Sequence, residues 1–177
     1  MRRTERYRTK GDANSLWHIY QTVSFWKVAK NFFFIQVGRY TPFIPLKNFI
    51  YRTFLRMKIG DKTSFALMVM PDTMFPERIK VGDNTIIGFN TTILAHEYLI
   101  DEYRIGDVVI GDRVMIGANS TILPGVEIGD GAIVSAASLV NRDIPAGALA
   151  GGNPVRIIYT AEQMEARKQA SSRNLQD

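Results

Sequence analysis

Apolar positions in the second half of this chain recur every six residues, the period of neither an α-helix nor a long β-strand. The anchors are Val81, Ile87 and Ile93, then Ile110, Ile116, Ile122, Ile128, Val134 and Val140. Two residues before many of them stands another small or β-branched residue: Ile79, Val108, Val114, Ser120, Val126, Ala132 and Ser138. Positions i−2 and i share a face when the backbone is extended. The pairs GD, GA, PG and DG that follow the anchors suit turns. Each unit is therefore a short strand and a turn, and three units fill the 18 residues from Ile110 to Ile128. Such a chain climbs as a coil with three flat faces and a continuous aliphatic interior.

Aligned on their IGD-like triplets, the copies read IGDKTSFALMVMPDTM from Ile59, VGDNTIIGFNTTILAH from Val81, IGDRVMIGANSTILPG from Ile110 and IGDGAIVSAASLVNRD from Ile128. The first two steps exceed 18 residues. From Ile59 to Val81 the step is 22, so about four residues bulge near Thr73–Arg78. From Val81 to Ile110 it is 29, and Val108 restores the register, so the eleven residues Glu97–Asp107 form a loop outside the coil. His96 then holds the place of Gly125 in the next coil, at a corner. Long loops on rigid scaffolds often carry function, and this one follows one of only two histidines.

Residues 15–57 lack the six-residue period. SLWHIYQTVSFWKVAKNFFFIQVGRY predicts helix, Thr41–Pro42 and Ile44–Pro45 break it, and KNFIYRTFLRMK predicts a second amphipathic helix leading into the first coil. His18 falls within this packing. At the far end Thr160 and Gln163 form a capping box for a short helix to about Ala170, with a frayed tail SSRNLQD. Three regions follow: a basic, aromatic N-terminal helical segment (1–57), a β-helix (58–158) carrying the loop 97–107, and a C-terminal helix and tail (159–177).

Composition narrows the chemistry. The chain has 177 residues, 46% hydrophobic and 22% charged, as in a globular domain. No window holds the ~18 consecutive apolar residues of a membrane span, and the N-terminus lacks a secretory signal pattern. The absence of cysteine removes disulfides, thiolate metal sites and cysteine nucleophiles. Together these features predict a cytoplasmic protein. The net charge of +5 is unevenly spread, with twelve Lys/Arg and two acids in residues 1–58 against ten and fifteen in the remainder. A basic, aromatic segment of this kind suits peripheral membrane contact through residues 1–58. No zinc-ligand set, RNP aromatics or recognition helix points to nucleic acid.

The segments VMIGANSTILPGVEIGDGAIVSAASLVNRDIP and GGNPVRII, within about Lys58–Ile158, resemble the hexapeptide-repeat acyltransferases, above all the maltose/galactoside O-acetyltransferase branch. The resemblance implies a left-handed parallel β-helix, a handedness that spacing alone does not fix and that departs from the usual right-handed crossover. It implies an acetyltransferase using acetyl-CoA as co-substrate and no metal, with His96 as general base. A neutral imidazole suits removal of a proton from an alcohol as it attacks the thioester. The resemblance further implies pantetheine contacts at Ala118 in IGAN and Ala136 in SAAS. Asn141 and Arg142 stand where the family has TKDIP, and Arg142 and Arg156 become candidates for the CoA phosphates. A homotrimer with the site between subunits is implied as well, with a hydroxyl of a sugar or glycan-like acceptor, or an amine.

Two departures bear on the acceptor. Met115 replaces an aromatic residue of the family pattern, and the acceptor segment is the mostly apolar FALMVMPD, in which only Asp72 offers a carboxylate; Asp72 is equally a turn residue. The group orienting His96 is open between Glu97, Asp101, Glu102 and a backbone carbonyl. A zinc enzyme on the same fold would need three histidines, and a non-catalytic structural β-helix would bind no acetyl-CoA.

Overall fold

In the computed structural model, residues 2–9 and 11–173 are described. The tail predicted to fray lies partly outside them, at 174–177. Among the described residues no helix is long and apolar enough to cross a membrane.

The six-residue units build a left-handed parallel β-helix of three faces. One face stacks Lys58–Ile59, Ile79–Val81, Val108–Ile110 and Glu127–Ile128. The second stacks Ser64–Phe65, Ile86–Ile87, Met115–Ile116, Ile133–Val134 and Leu149–Gly151. The third stacks Met70–Pro71, Thr92–Ile93, Thr121–Ile122 and Leu139–Val140. The anchors fall in register, as in Ile59–Val81–Ile110–Ile128 and Phe65–Ile87–Ile116–Val134, and nearly all are fully buried. After Val140 the period shortens, since Ile128 pairs with Ile144 and Ile133 with Leu149. The i−2 positions are also interior, and where they are hydroxylic they bond to corner carbonyls, as Thr85 Oγ1 does to Gly111 O and Ser120 Oγ to Gly117 O, both at 2.8 Å.

The IGD triplet has a physical reason. Asp83, Asp112 and Asp130 each use Oδ1 to accept the backbone N–H of the aspartate one coil earlier, at 2.7, 2.7 and 2.9 Å. The glycine before each accepting turn leaves room for that carboxylate. A Cβ on Gly82 would lie 2.1 Å from Asp112 Oδ1 and 2.7 Å from the Gly111 carbonyl carbon. The residue after each aspartate takes a left-handed φ, at Lys62, Asn84, Arg113 and Gly131.

The open first coil is closed by helices. α1 (Ile19–Thr22) leads to α2 (Phe25–Tyr40) and α3 (Ile44–Phe54). Pro45 does not break α3 but sits in its first turn, where its missing N–H costs nothing. Carbonyls of the first coil have no preceding strand to pair with, and α3 supplies donors instead. Lys47 Nζ reaches Phe65 O and Ala66 O, both at 2.9 Å, Asn48 reaches Thr63 O at 2.7 Å, and Arg52 reaches Ile59 O and Gly60 O at 2.9 and 2.7 Å. At the other end Arg156–Tyr159 pairs antiparallel with Leu149–Gly151. α4 (Ala161–Arg173) follows, capped reciprocally by Thr160 and Gln163 as the sequence suggested.

Two features differ from the sequence expectation. The N-terminal segment is not wholly helical, because Glu5–Arg8 forms a strand. The loop 97–107 is largely an antiparallel hairpin of His96–Tyr98 and Glu102–Ile105, and Glu5–Arg8 pairs with its second strand. Hexad counting registers only departures from the parallel stack, so it could not see pairing outside it.

Gly82→Ala is expected to destabilise the protein by more than about 2 kcal/mol, since backbone must move. Gly131→Ala, where nothing lies within 4 Å of the new Cβ, should cost only the left-handed φ, about 1 kcal/mol. Urea midpoints of the two variants check the order.

Candidate active site

Both excursions from the coil begin at the same corner. Met70–Pro71 and Thr92–Ile93 are paired neighbours on the third face, and the chain departs after each. The earlier departure carries Asp72 and passes through the short 3-10 turn Pro76–Arg78. The later one begins at Ala95, whose carbonyl accepts the returning Gly106 N–H at 2.9 Å. His96 is thus the first residue of the hairpin instead of a corner residue like Gly125.

Asp72 joins the two departures. Its Oδ1 accepts the backbone N–H groups of Met74 and Phe75, both at 2.8 Å. Its Oδ2 accepts those of Ala95 at 2.6 Å and His96 at 3.1 Å, and meets His96 Nδ1 at 2.6 Å. The Asp72 side chain is 0% exposed and the His96 side chain 16%. Burial alone would raise the Asp72 pKa. The hydrogen bond and charge of His96, with the amides of Phe75 and Ala95, outweigh burial and hold the carboxyl below its ordinary 3.8. An ionised carboxylate only accepts, so Nδ1 of the neutral imidazole must carry the proton and Nε2 the lone pair, a tautomer assigned from this network. Among the described residues nothing is hydrogen-bonded to Nε2.

The imidazole lies edge-on between the rings of Phe75 at 6.0 Å and Tyr98 at 5.4 Å. Lys27 of α2 sits 4.8 Å over the Phe75 ring and pairs with Glu77 at 2.6 Å. Tyr98 continues to Tyr103, which stacks on Tyr7 of the N-terminal strand at 4.9 Å. A cavity of about 270 Å³ beside the hairpin is lined by Arg8, Thr9, His18, Gln21, Thr22 and Tyr103, not by His96. His96 therefore lies outside that cavity, its side chain largely covered within the chain and 16% exposed.

The sequence offered Asp72 equally as an acceptor contact and as a turn residue, and its bonds to Met74 N and Phe75 N are those of a turn. Burial and five accepted N–H groups leave it no lone pair facing outward, and its partner is His96. The candidates named for orienting His96 are engaged or placed elsewhere. Glu97 pairs with Arg2 at 2.7 Å, Glu102 bonds Arg104 at 2.6 Å, and Asp101 is exposed beside the hairpin turn. Met115 is exposed on the second face. Ala118 and Ala136 occupy one corner of successive coils, with Ala118 O accepting from Ala137 N at 2.8 Å. Asn141 Oδ1 is buried with no hydrogen-bond partner among the described residues. Arg142 and Arg156 are exposed. None of these six shares a hydrogen bond, ion pair or ring contact with His96 among the described residues. Nor are any three His, Cys, Asp or Glu side chains among the described residues grouped to hold a metal. The Asp72–His96 pair was missed by sequence reasoning, yet a signal existed, since both long steps insert after the third anchor of their coil.

A profile of the bacterial transferase hexapeptide (six repeats) matches residues 107–142. The candidate acetyltransferase YvoF of Bacillus subtilis strain 168 is 70% identical over 172 residues, covering 97% of this chain and 99% of that protein. Among solved structures, a hexapeptide-repeat acetyltransferase of Vibrio cholerae in complex with acetyl-coenzyme A superposes with a TM-score of 0.65 at 24% identity, covering 77% of this chain and 87% of that one. A maltose O-acetyltransferase of Clostridium difficile superposes with a TM-score of 0.54 at 21% identity, covering 76% and 86%.

Asp72→Asn keeps the size but turns an amide donor toward N–H groups, and is expected to cost about 1–3 kcal/mol near neutral pH. The sign with pH follows from the lowered pKa: the carboxylate's stabilisation is complete above 3.8 and is lost as pH falls through the lower folded value. The gap between the two proteins should therefore narrow below 3.8, as urea unfolding at neutral and acid pH would show.

Proposed function

The chain belongs to the hexapeptide-repeat acetyltransferases, and from that premise we propose that it moves an acetyl group from acetyl-CoA to a hydroxyl of a sugar or glycan-like acceptor, with His96 as general base. The observation that carries this reading is the buried Asp72 carboxylate 2.6 Å from His96 Nδ1. It leaves Nε2 as the basic nitrogen on a side chain still partly open to solvent.

Transfer proceeds directly. The acceptor hydroxyl oxygen forms a bond to the thioester carbonyl carbon, and its proton passes to His96 Nε2. The carbon–sulfur bond then breaks, and the proton goes on to the departing thiolate, so the enzyme returns to its starting state. Asp72 remains ionised, stabilises the imidazolium while it exists and prevents the ring from turning. The half-buried rings of Phe75 and Tyr98 beside His96 suit the apolar face of a sugar ring.

Several residues fit the donor. Ala118 and Ala136 leave one corner of the coil uncrowded for a pantetheine arm. Asn141 Oδ1, buried and unpaired among the described residues, suits an amide N–H of that arm, and the exposed Arg142 and Arg156 suit the phosphates. Met115 stands exposed on the strand before Ala118, as an acceptor-side contact. With the His96 side chain still partly exposed, a homotrimer whose neighbouring coil completes the site accords with the geometry. A cytoplasmic location suits this donor.

Release of CoA thiol, followed with acetyl-CoA and a panel of hydroxyl and amine acceptors, tests the reading. Hydroxyl acceptors should turn over, and His96→Ala should lower kcat by about 10²–10⁴ with little change in KM for acetyl-CoA. Turnover unaffected by that substitution would overturn the mechanism, and turnover confined to amines would overturn the acceptor class.

A further inference from the structure

α2 turns one side inward, burying Asn31, Ile35 and Gly38. On its other side Trp26, Phe33, Val37 and Tyr40 are exposed at i, i+7, i+11 and i+14, one stripe of a 3.6-residue period, and Lys30 lies in the same stripe. α3 repeats the arrangement, burying Lys47, Asn48, Ile50 and Tyr51 while Leu46 and Phe49 face solvent. Ring contacts join the two helices: Phe33 to Phe34 at 5.3 Å, Phe34 to Phe54 at 3.8 Å and Phe54 to Phe49 at 6.3 Å. Beyond Trp26 they continue to Phe25 at 5.5 Å and from Phe25 to Tyr20 at 5.7 Å.

This is a large surface. Trp26 and Phe33 of the α2 stripe are 78% and 61% exposed. At roughly 150–200 Å² each, these two with Val37, Tyr40 and Phe49 reach the few hundred Å² at which an exposed apolar patch marks a binding site.

Its charge says what it binds. Between Asp12 and Asp61 the chain has no acid and seven Lys or Arg residues. Lys47 is buried, Lys27 pairs with Glu77, and Arg52 reaches Asp61 at 3.5 Å. Lys30, Arg56 and Lys58 are exposed and have no acidic partner among the described residues. A second copy meeting this face with its own across a two-fold axis would set cation against cation. Phosphate headgroups would complement it, and amphipathic rings prefer the depth at which headgroups meet acyl chains.

We propose that the aromatic face of α2 and α3, with Lys30 in its stripe and Arg56 and Lys58 in the segment that follows α3, docks the protein onto the surface of an anionic lipid bilayer, with Trp26, Phe33 and Phe49 at headgroup depth and the cations among the phosphates. The inference is independent of acetyl transfer and needs neither acetyl-CoA nor an acceptor. Binding combines buried apolar area with attraction to anionic lipid, so it falls with salt.

The full chain is floated with vesicles of phosphatidylglycerol mixed with phosphatidylcholine, and with phosphatidylcholine alone, at low and high salt. It should bind the anionic vesicles, at least about tenfold more weakly at high salt, and should show a blue shift of tryptophan emission. The pair Lys30→Glu and Arg56→Glu should weaken binding about 30-fold or more. The triple variant Trp26→Ser, Phe33→Ser and Phe49→Ser should weaken it at least about tenfold, with circular dichroism confirming that each variant is folded. Absence of binding at low salt would overturn the proposal. So would equal binding to both vesicle types, or a triple variant that loses oligomer mass by light scattering while the parent shows no vesicle binding, since the face would then be a contact between copies.

Discussion

The Asp72 carboxylate holds together what the rest of the site depends on. Its two oxygens accept from two turns in successive coils: Met74 and Phe75 on one side, Ala95 and His96 on the other. The first pair fixes the start of the Thr73–Arg78 excursion, whose Thr73 carbonyl accepts from Asn31 of α2 at 2.9 Å. The second pair fixes the point where the hairpin leaves. The fifth bond, to the ring of His96, turns a structural cap into an orienting group. A buried charge is tolerable only when its hydrogen bonds are made, and here the same bonds that satisfy it position the histidine.

The β-helix provides the rigidity this requires. Each coil is stacked on its neighbours by parallel strands and by the aspartate ladder at one corner, so the two departures are held at a fixed vertical offset. An open stack has two exposed ends, a liability in any sheet. α3 closes the first with Lys47, Asn48 and Arg52, and the antiparallel strand Arg156–Tyr159 pairs with the last. The helices that cap the first end also carry the aromatic face, so one segment has two sides with different tasks.

Much of this was legible in the sequence because the interior repeats. The anchors, their register, the two long steps, the break at His96 and the α4 capping box all follow from spacing and local residue chemistry. The Asp72–His96 pair was not legible in the same way. It joins residues 24 positions apart through a corner, and neither carries a local pattern that names the other. Asp72 read equally as an acceptor contact and as a turn residue because the sequence marks a carboxylate but not its direction. The hairpin read as a loop because its strands pair with each other and with Glu5–Arg8, outside the six-residue period.

The central claim is that an ionised Asp72 fixes which nitrogen of His96 is the base. Nitrogen-15 NMR of the imidazole, with the His96 signals assigned by comparison with a His96 substitution, measures this directly. In the neutral ring the account predicts a protonated Nδ1 and an unprotonated Nε2, with that preference lost in Asp72→Asn. A neutral ring protonated at Nε2, or a preference unchanged by Asp72→Asn, would contradict it.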